Sequence, residues 1–177
     1  MTYTPITGDI IEELITICSL SNVITDRERI EGYSHDETSR EQFCAMPEVV
    51  VTPTTTSQVA QIMRLADRYT IPVTPRGAGS GLSGGAIPLF GGIVLSLEKM
   101  NRIIEVDEEN LTVTAEAGIV TNELNERLKD TGLFFAGYPM SLESCFLGGN
   151  IAENAGGGKA IKYGVTSRYV LGLTVVT

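Results

Sequence analysis

Pro75–Ala86 reads PRGAGSGLSGGA and places glycine at positions 77, 79, 81, 84 and 85, with one fixed cation, Arg76, at its start. Glycine accepts positive φ and, having no Cβ, lets a ligand approach the main chain. Consecutive N–H groups in such a turn can converge on an anion. Ile71–Thr74 just before it reads as a short strand, so the natural ligand is a phosphate or diphosphate. The alternative is an unstructured loop, and the residues on either side have to decide between the two.

Upstream, Glu48–Thr52 opens with the β-branched run Val49, Val50 and Val51, stopped by Pro53. Val59, Ile62, Met63, Ala66 and Tyr69 then repeat at three and four residues, one face of a helix capped by Thr56 or Ser57. Strand, helix and strand this close together form a βαβ unit, which predicts parallel pairing of the two strands. The glycine stretch then falls at the carboxyl end of the second strand, where such sheets place ligands. Further upstream, Ile10, Leu14, Ile17 and Cys18 mark an amphipathic helix over Asp9–Leu20 that Thr7 or Asp9 could cap. A turn and short helix are expected over Asn22–Ile30. Gly32–Met46 reads as polar and irregular, with His35 and Asp36 as solvated surface.

Downstream, Gly92–Leu97 and Asn101–Val106 read as strands, and Asp107–Asn110 as a turn. Leu111, Val113, Ala115 and Ala117 alternate with polar residues, a half-buried strand. Thr121–Thr131 reads as a helix capped by Thr121 and closed by Gly132. A second glycine-rich stretch follows at Phe134–Gly158, FFAGYPMSLESCFLGGNIAENAGGG. If Gly149–Asn154 is a helical turn, Asn150 and Asn154 share one side of it. Gly148 and Gly149 would then leave its N-terminus open to an anion, with Lys159 and Lys162 as nearby cations. Tyr169–Thr177 is an apolar run that reads as a strand. The apolar edge at Tyr169–Val176 would suit pairing with a second copy of the chain.

Composition sets outer limits. The 177 residues carry a formal net charge of −9, which argues against nucleic acid as a partner. Cys18, Cys44 and Cys145 fit neither a metal pattern nor a disulfide framework, so a reducing, cytoplasmic setting is expected and no metal site. No signal peptide is visible in MTYTPITGDI. Gly77–Leu97 has no charged residue, but its seven glycines, three serines and Pro88 make it a poor membrane helix.

Two familiar phosphate motifs do not fit. Gly79–Gly84 matches G-x-G-x-x-G in letters, yet Pro88, Gly91 and Gly92 forbid the helix that the dinucleotide fingerprint must open. The P-loop pattern fails at Gly158-Lys159, because Glu153 stands where the earlier glycine belongs and Ala160 replaces the hydroxyl.

Taken together, Val49–Thr52, PVTPRGAGSGLSGGA (72–86), GGNIAENAGG (148–157) and KYGVTSRYVLGL (162–173) resemble FAD-linked oxidases of the vanillyl-alcohol oxidase and p-cresol methylhydroxylase type. Within that superfamily the sequence looks like the glycolate oxidase D-subunit and D-lactate dehydrogenase group, from about Tyr33 to Thr177. The resemblance implies an α+β fold: an FAD-binding domain of two α+β subdomains with the cofactor between them. It divides the chain into an N-terminal helical arm (1–48), a first FAD-binding subdomain (49–106) and an incomplete second one (107–177). It implies that main-chain N–H groups of Arg76, Gly77, Ala78, Gly79, Ser80, Gly81 and Leu82 wrap the diphosphate. Pro139, Ser141, Gly148, Gly149, Asn150, Ala152 and Asn154 would supply a second wall. Some relatives attach FAD through a histidine in the glycine loop; this loop has none, so noncovalent FAD is expected.

Tyr138 and Met140 depart from the family's usual residues. The family's longer chain carries its substrate-binding domain after the last strand seen here, so the sequence reads as an N-terminal piece. No residue in view has the context of a catalytic base, and none is assigned. The expected reaction of the intact relative is hydride transfer from the Cα of a 2-hydroxy acid to FAD; a chain of this extent is expected to bind flavin weakly and to turn nothing over. A subunit that has lost FAD and serves as an interaction module, and a nucleotide-sugar reductase of the same superfamily, remain open alternatives.

Overall fold

The computed structural model describes residues 2–137 and 139–177. The chain forms two compact units, Met1–Lys99 with Val175–Thr177, and Met100–Thr174.

The first unit begins with α1 (Gly8–Cys18), where the Thr7 hydroxyl accepts from the Ile10 N–H and Ile10, Leu14 and Cys18 face inward. A short 3-10 turn leads into β1 (Val23–Ile24), a strand not expected from the sequence, and then α2 (Arg27–Glu31), capped by Asp26. β2 (Val49–Val51) is wholly buried. α3 (Thr56–Tyr69) is capped by Thr55, one residue before the expected cap, and closes on Thr70 in the left-handed conformation. β3 (Val73–Arg76) and β4 (Ile93–Ser96) complete a four-stranded sheet of order β1-β2-β4-β3.

The β2-α3-β3 unit is present, but the pairing expected of its two strands is corrected here. β2 and β3 are parallel but do not pair; β4 lies between them, with Ile93 opposite both Val49 and Val73. The reason is in the residues. Every position of β4 is buried, as a central strand requires, whereas β3 is only partly buried and contains Pro75. Proline cannot donate to a ladder and therefore belongs on an edge strand. Both faces of the sheet are covered. α1 and α3 pack with Val49, Val51, Ile93 and Leu95 on one side, and Ile24 and Ile30 meet Val50 and Val94 on the other. Residues of the N-terminal arm thus form part of this unit's core.

The second unit opens with the antiparallel pair β5 (Ile103–Asp107) and β6 (Thr112–Ala115). The compact-unit boundary at Met100 therefore falls before Asp107, because the strand at 103–107 takes its partner from the second unit. Leu111 is not on the strand's inner face: it sits in the turn at φ 56° and is exposed. α4 (Thr121–Leu128) continues into a 3-10 turn closed by Gly132 at φ 75°. Its cap position is Val120; Thr121 is already helical and fully buried, so the expected threonine cap is wrong. α5 (Leu147–Ala152), α6 (Ala160–Tyr163) and a 3-10 turn at Thr166–Tyr169 follow. Ile119, Leu124, Leu128 and Leu147 form the core, with Ile103, Val106 and Val113 against it.

The run after Tyr169 is not a strand. Residues 170–177 make no ladder with any described strand, so apolar composition alone did not produce one. The sheet edge expected at Tyr169–Val176, and the dimer it would have supported, are withdrawn. No helix among the described residues is long and apolar enough to cross a membrane.

Candidate functional site

The glycine loop joins the carboxyl end of β3 to the amino end of β4, two parallel neighbours, without an intervening helix. Gly79 and Gly84 adopt φ of 73° and 77°, backbone that other residues rarely accept. Among the described residues, the main-chain N–H groups from Gly77 through Leu82 have no intramolecular acceptor. Buried main-chain donors are almost always paired, and these half-buried or exposed ones form a run of open donors instead. That is the chemistry of an anion-binding turn.

Arg76 does not spend its side chain on that turn's open side. Its guanidinium is buried and donates to the carbonyls of His35 (2.7 Å), Gly32 (3.2 Å) and Ala86 (3.4 Å). The absent Cβ of Gly79 would lie 2.1 Å from Arg76 Nη2, so the guanidinium packs directly against that glycine. Burial pulls the Arg76 pKa down, while the charges of Asp36 and Glu98 and the Tyr33 phenol push it up. Tyr33 lies beneath the guanidinium, ring centroid 5.7 Å away, and its hydroxyl donates to Glu98 at 3.0 Å. Burial first, then the Glu98 charge, pushes the phenol up to about 12.

Asp36, expected on the surface, is buried. One carboxylate oxygen accepts from the Thr38 N–H and hydroxyl (2.9 and 2.6 Å), the other from the Gly84 N–H at 2.9 Å. The Glu37 N–H donates to the Gly81 carbonyl at 3.0 Å. The sequence offered one signal of this, Asp36-x-Thr38, a local turn pattern; it gave no hint of Gly84. His35 contributes its carbonyl, and its ring Nδ1 lies 3.1 Å from the Ser34 hydroxyl.

In the second unit, the donors expected at the start of α5 are mostly used. The Leu147 N–H donates to Ile119 and the Gly148 N–H to Ala117 (2.9 and 2.7 Å). Only the Gly149 N–H in that turn lacks an acceptor among the described residues. Gly148 is required for packing, since a Cβ there would stand 2.7 Å from that of Ala117. Asn150 is buried, and its amide nitrogen donates to the Thr121 hydroxyl at 2.6 Å, which donates in turn to the Cys145 carbonyl at 3.2 Å. Asn154 does not share a helical face with Asn150. It follows the helix at φ 50°, exposed, and its side-chain oxygen accepts from the Ser167 N–H. Ala152 is exposed, Ser141 half-buried and Pro139 buried; Tyr138 lies outside the described residues. The ammonium groups of Lys159 and Lys162 sit over the rings of Phe134 and Tyr163.

No cluster of potential metal ligands occurs among the described residues. A concavity of about 280 Å³ between α1 and α3 is crossed by the Arg68–Glu13 ion pair and carries no converging reactive groups.

A parallel strand ending in a turn of open main-chain donors suits an anionic group such as a phosphate. The chain belongs to the FAD binding domain family, whose model matches residues 47–177, and FAD is that family's cofactor. The sequence is 40% identical over 171 residues to the glycolate oxidase subunit GlcD of Bacillus subtilis, covering 97% of this chain and 36% of that protein. It is 40% identical to the D-lactate dehydrogenase of Anaerostipes hadrus (98% and 36% covered) and 36% identical to the D-2-hydroxyglutarate dehydrogenase of Stutzerimonas stutzeri (95% and 36%). The chain thus spans about a third of the length of these relatives. The fold matches an alkyldihydroxyacetonephosphate synthase (TM-score 0.86, 22% identity, 97% of this chain and 33% of that one) and p-cresol methylhydroxylase (0.64, 23%, 76% and 29%). The α+β FAD-binding fold expected from the resemblance is the fold observed.

Proposed function

We propose that this chain is the FAD-holding portion of a flavin-dependent 2-hydroxy-acid oxidoreductase of the glycolate or D-lactate type. The observation that carries it is the run of acceptor-free N–H groups from Gly77 through Leu82, in a chain of the FAD-binding family. Neutral donors of this kind suit a diphosphate on an acidic protein, because they hold the anion without adding net charge. Each lost donor is expected to cost about 1–3 kcal/mol of binding. Bound FAD would supply a two-electron acceptor that takes the Cα hydrogen of the substrate as hydride and leaves a 2-oxo acid. This chain's residues bind and orient; none is proposed as the base.

The first FAD-binding subdomain holds the diphosphate through the open donors of Gly77–Leu82; Arg76, whose carbonyl accepts from the Leu97 N–H, acts by packing its guanidinium against that turn. In the second, Gly149 offers an open N–H, and Pro139, Ser141 and Ala152 offer contact surface. Gly148, Asn150 and Asn154 act on that surface through the bonds that shape it. Attachment is noncovalent. Amide NMR of the chain titrated with FAD tests this: shifts concentrated at Gly77–Leu82 are expected, at weak affinity. Shifts confined to other regions, or none at saturating FAD, would remove the reading. In a longer chain carrying this segment, D-lactate, glycolate and D-2-hydroxyglutarate should bleach the flavin's visible absorption under anaerobic conditions, and a UDP-sugar should not.

A further inference from the structure

We propose that Asp36 is a positioning residue for the flavin diphosphate, holding Gly84 so that the N–H groups of Gly77–Leu82 stay free for the ligand. The inference rests on the FAD reading above and concerns residues outside the glycine loop.

The loop has no ladder of its own, and its shape comes from ties to the segment 32–38. Asp36 takes the Gly84 N–H, the Glu37 N–H takes the Gly81 carbonyl, and Arg76 bridges Gly32, His35 and Ala86. The tie at Gly81 has a directional consequence. In a trans peptide the C=O and the next N–H point in opposite directions. Drawing the Gly81 carbonyl toward Glu37 therefore turns the Leu82 N–H away from that segment, where an anion can reach it. Asp36 also removes Gly84 from the set of open donors, so the cradle ends at a fixed place.

A carboxylate close to an anion site would ordinarily repel the ligand. Here Asp36 and the buried Arg76 guanidinium attract one another through space without forming an ion pair, which offsets part of that repulsion. Burial disfavours the charged Asp36, but the hydrogen bonds from Thr38 and Gly84 outweigh it and hold its carboxyl below the usual range. The group is thus an anion at neutral pH and keeps its grip on Gly84.

The test compares Asp36→Ala, Asp36→Asn and Thr7→Ala in the whole chain by amide NMR titration with FAD. Thr7→Ala removes the α1 cap, on the sheet face opposite Ile30 and Tyr33, and serves as a destabilised control that touches none of the loop's ties. Asp36→Ala should weaken FAD by about tenfold, Asp36→Asn by less, and Thr7→Ala not at all. Independently of FAD, the Gly84 amide of the unsubstituted chain should titrate with a carboxyl of low pKa, and that titration should vanish in Asp36→Asn. Tighter FAD binding by Asp36→Asn would show that the carboxylate only repels, and would overturn the proposal. So would unchanged affinity in Asp36→Ala, or a Gly84 amide that ignores pH. Loss of FAD binding in the unsubstituted chain would instead strike the functional reading, with the Gly84 titration still judging the tie itself.

Discussion

Gly79→Ala asks two things of the loop that it cannot supply together. At φ 73° an alanine is strained by about 1–2 kcal/mol relative to glycine. Its Cβ would also stand 2.1 Å from Arg76 Nη2 and 2.5 Å from Cζ. The end of an arginine can usually swing aside at little cost. Here it is buried and holds three carbonyls, so moving it leaves the carbonyls of Gly32, His35 and Ala86 without their donor. Losing a hydrogen bond to a charged group costs about 1.5–3 kcal/mol. With even one of these bonds lost, the sum is about 2.5–5 kcal/mol of stability, with FAD affinity falling as well. Gly81→Ala is the matched comparison: its φ is not positive and nothing lies within 4 Å of its Cβ. It should be neutral in stability, or gain about 0.4–1 kcal/mol through the unfolded chain. Urea titration followed by circular dichroism measures both. Equal midpoints for the two variants would refute the packing of Arg76 against Gly79.

Gly148→Ala should destabilise the second unit by about 1–3 kcal/mol through overpacking on Ala117, while Gly149→Ala, with open space around its Cβ, should leave thermal stability unchanged. Asn150→Ala should cost about 1–3 kcal/mol, since it removes the amide donor of the buried Thr121 hydroxyl and leaves only the weak Cys145 thiol; Thr121→Val in the same background should recover part of that in a thermal melt. Glu116 is nearly buried, and Arg102 holds its carboxylate below the ordinary 4.5, chiefly by side-chain hydrogen bonds, against the opposing effect of burial. Because the folded pKa is the lower one, this contribution is complete above pH 4.5 and is lost as pH falls through the folded value. The arginine is largely exposed, so the effect is about 1 kcal/mol or less. Glu116→Gln should flatten that part of the acid limb in a stability–pH profile.

The helices and most strands were legible because their cues are local. Ile10, Leu14 and Cys18 repeat at helical spacing, and the Val49–Val51 run has the length of a buried strand. Sheet order was not local. Nothing in the period of Val73–Arg76 says that β4 will stand between it and β2, although Pro75 was an unused sign of an edge. Thr121 has a capping side chain, yet the partners that bury it, Cys145 and Asn150, lie on distant segments. The apolar tail after Tyr169 carried strand composition without a partner to make it a strand. At the site, the open donors of Gly77–Leu82 were foreseeable from glycine spacing. Asp36 was not, because its contact with Gly84 crosses from one irregular segment to another.

The place of β4 in the sheet also bears on how the molecule comes into being. A chain growing from its N-terminus brings out β2, α3 and β3 before the strand that will separate them. Until Ser96 has emerged, β2 and β3 each lack their shared neighbour, and the glycine loop is the segment nearest the ribosome. Synthesis at about 5–20 residues per second makes that interval a matter of seconds, long enough for a chaperone to find it. Pairing of β3 into the sheet therefore waits on β4, whereas the loop's ties to residues 32–38 call only on segments already made.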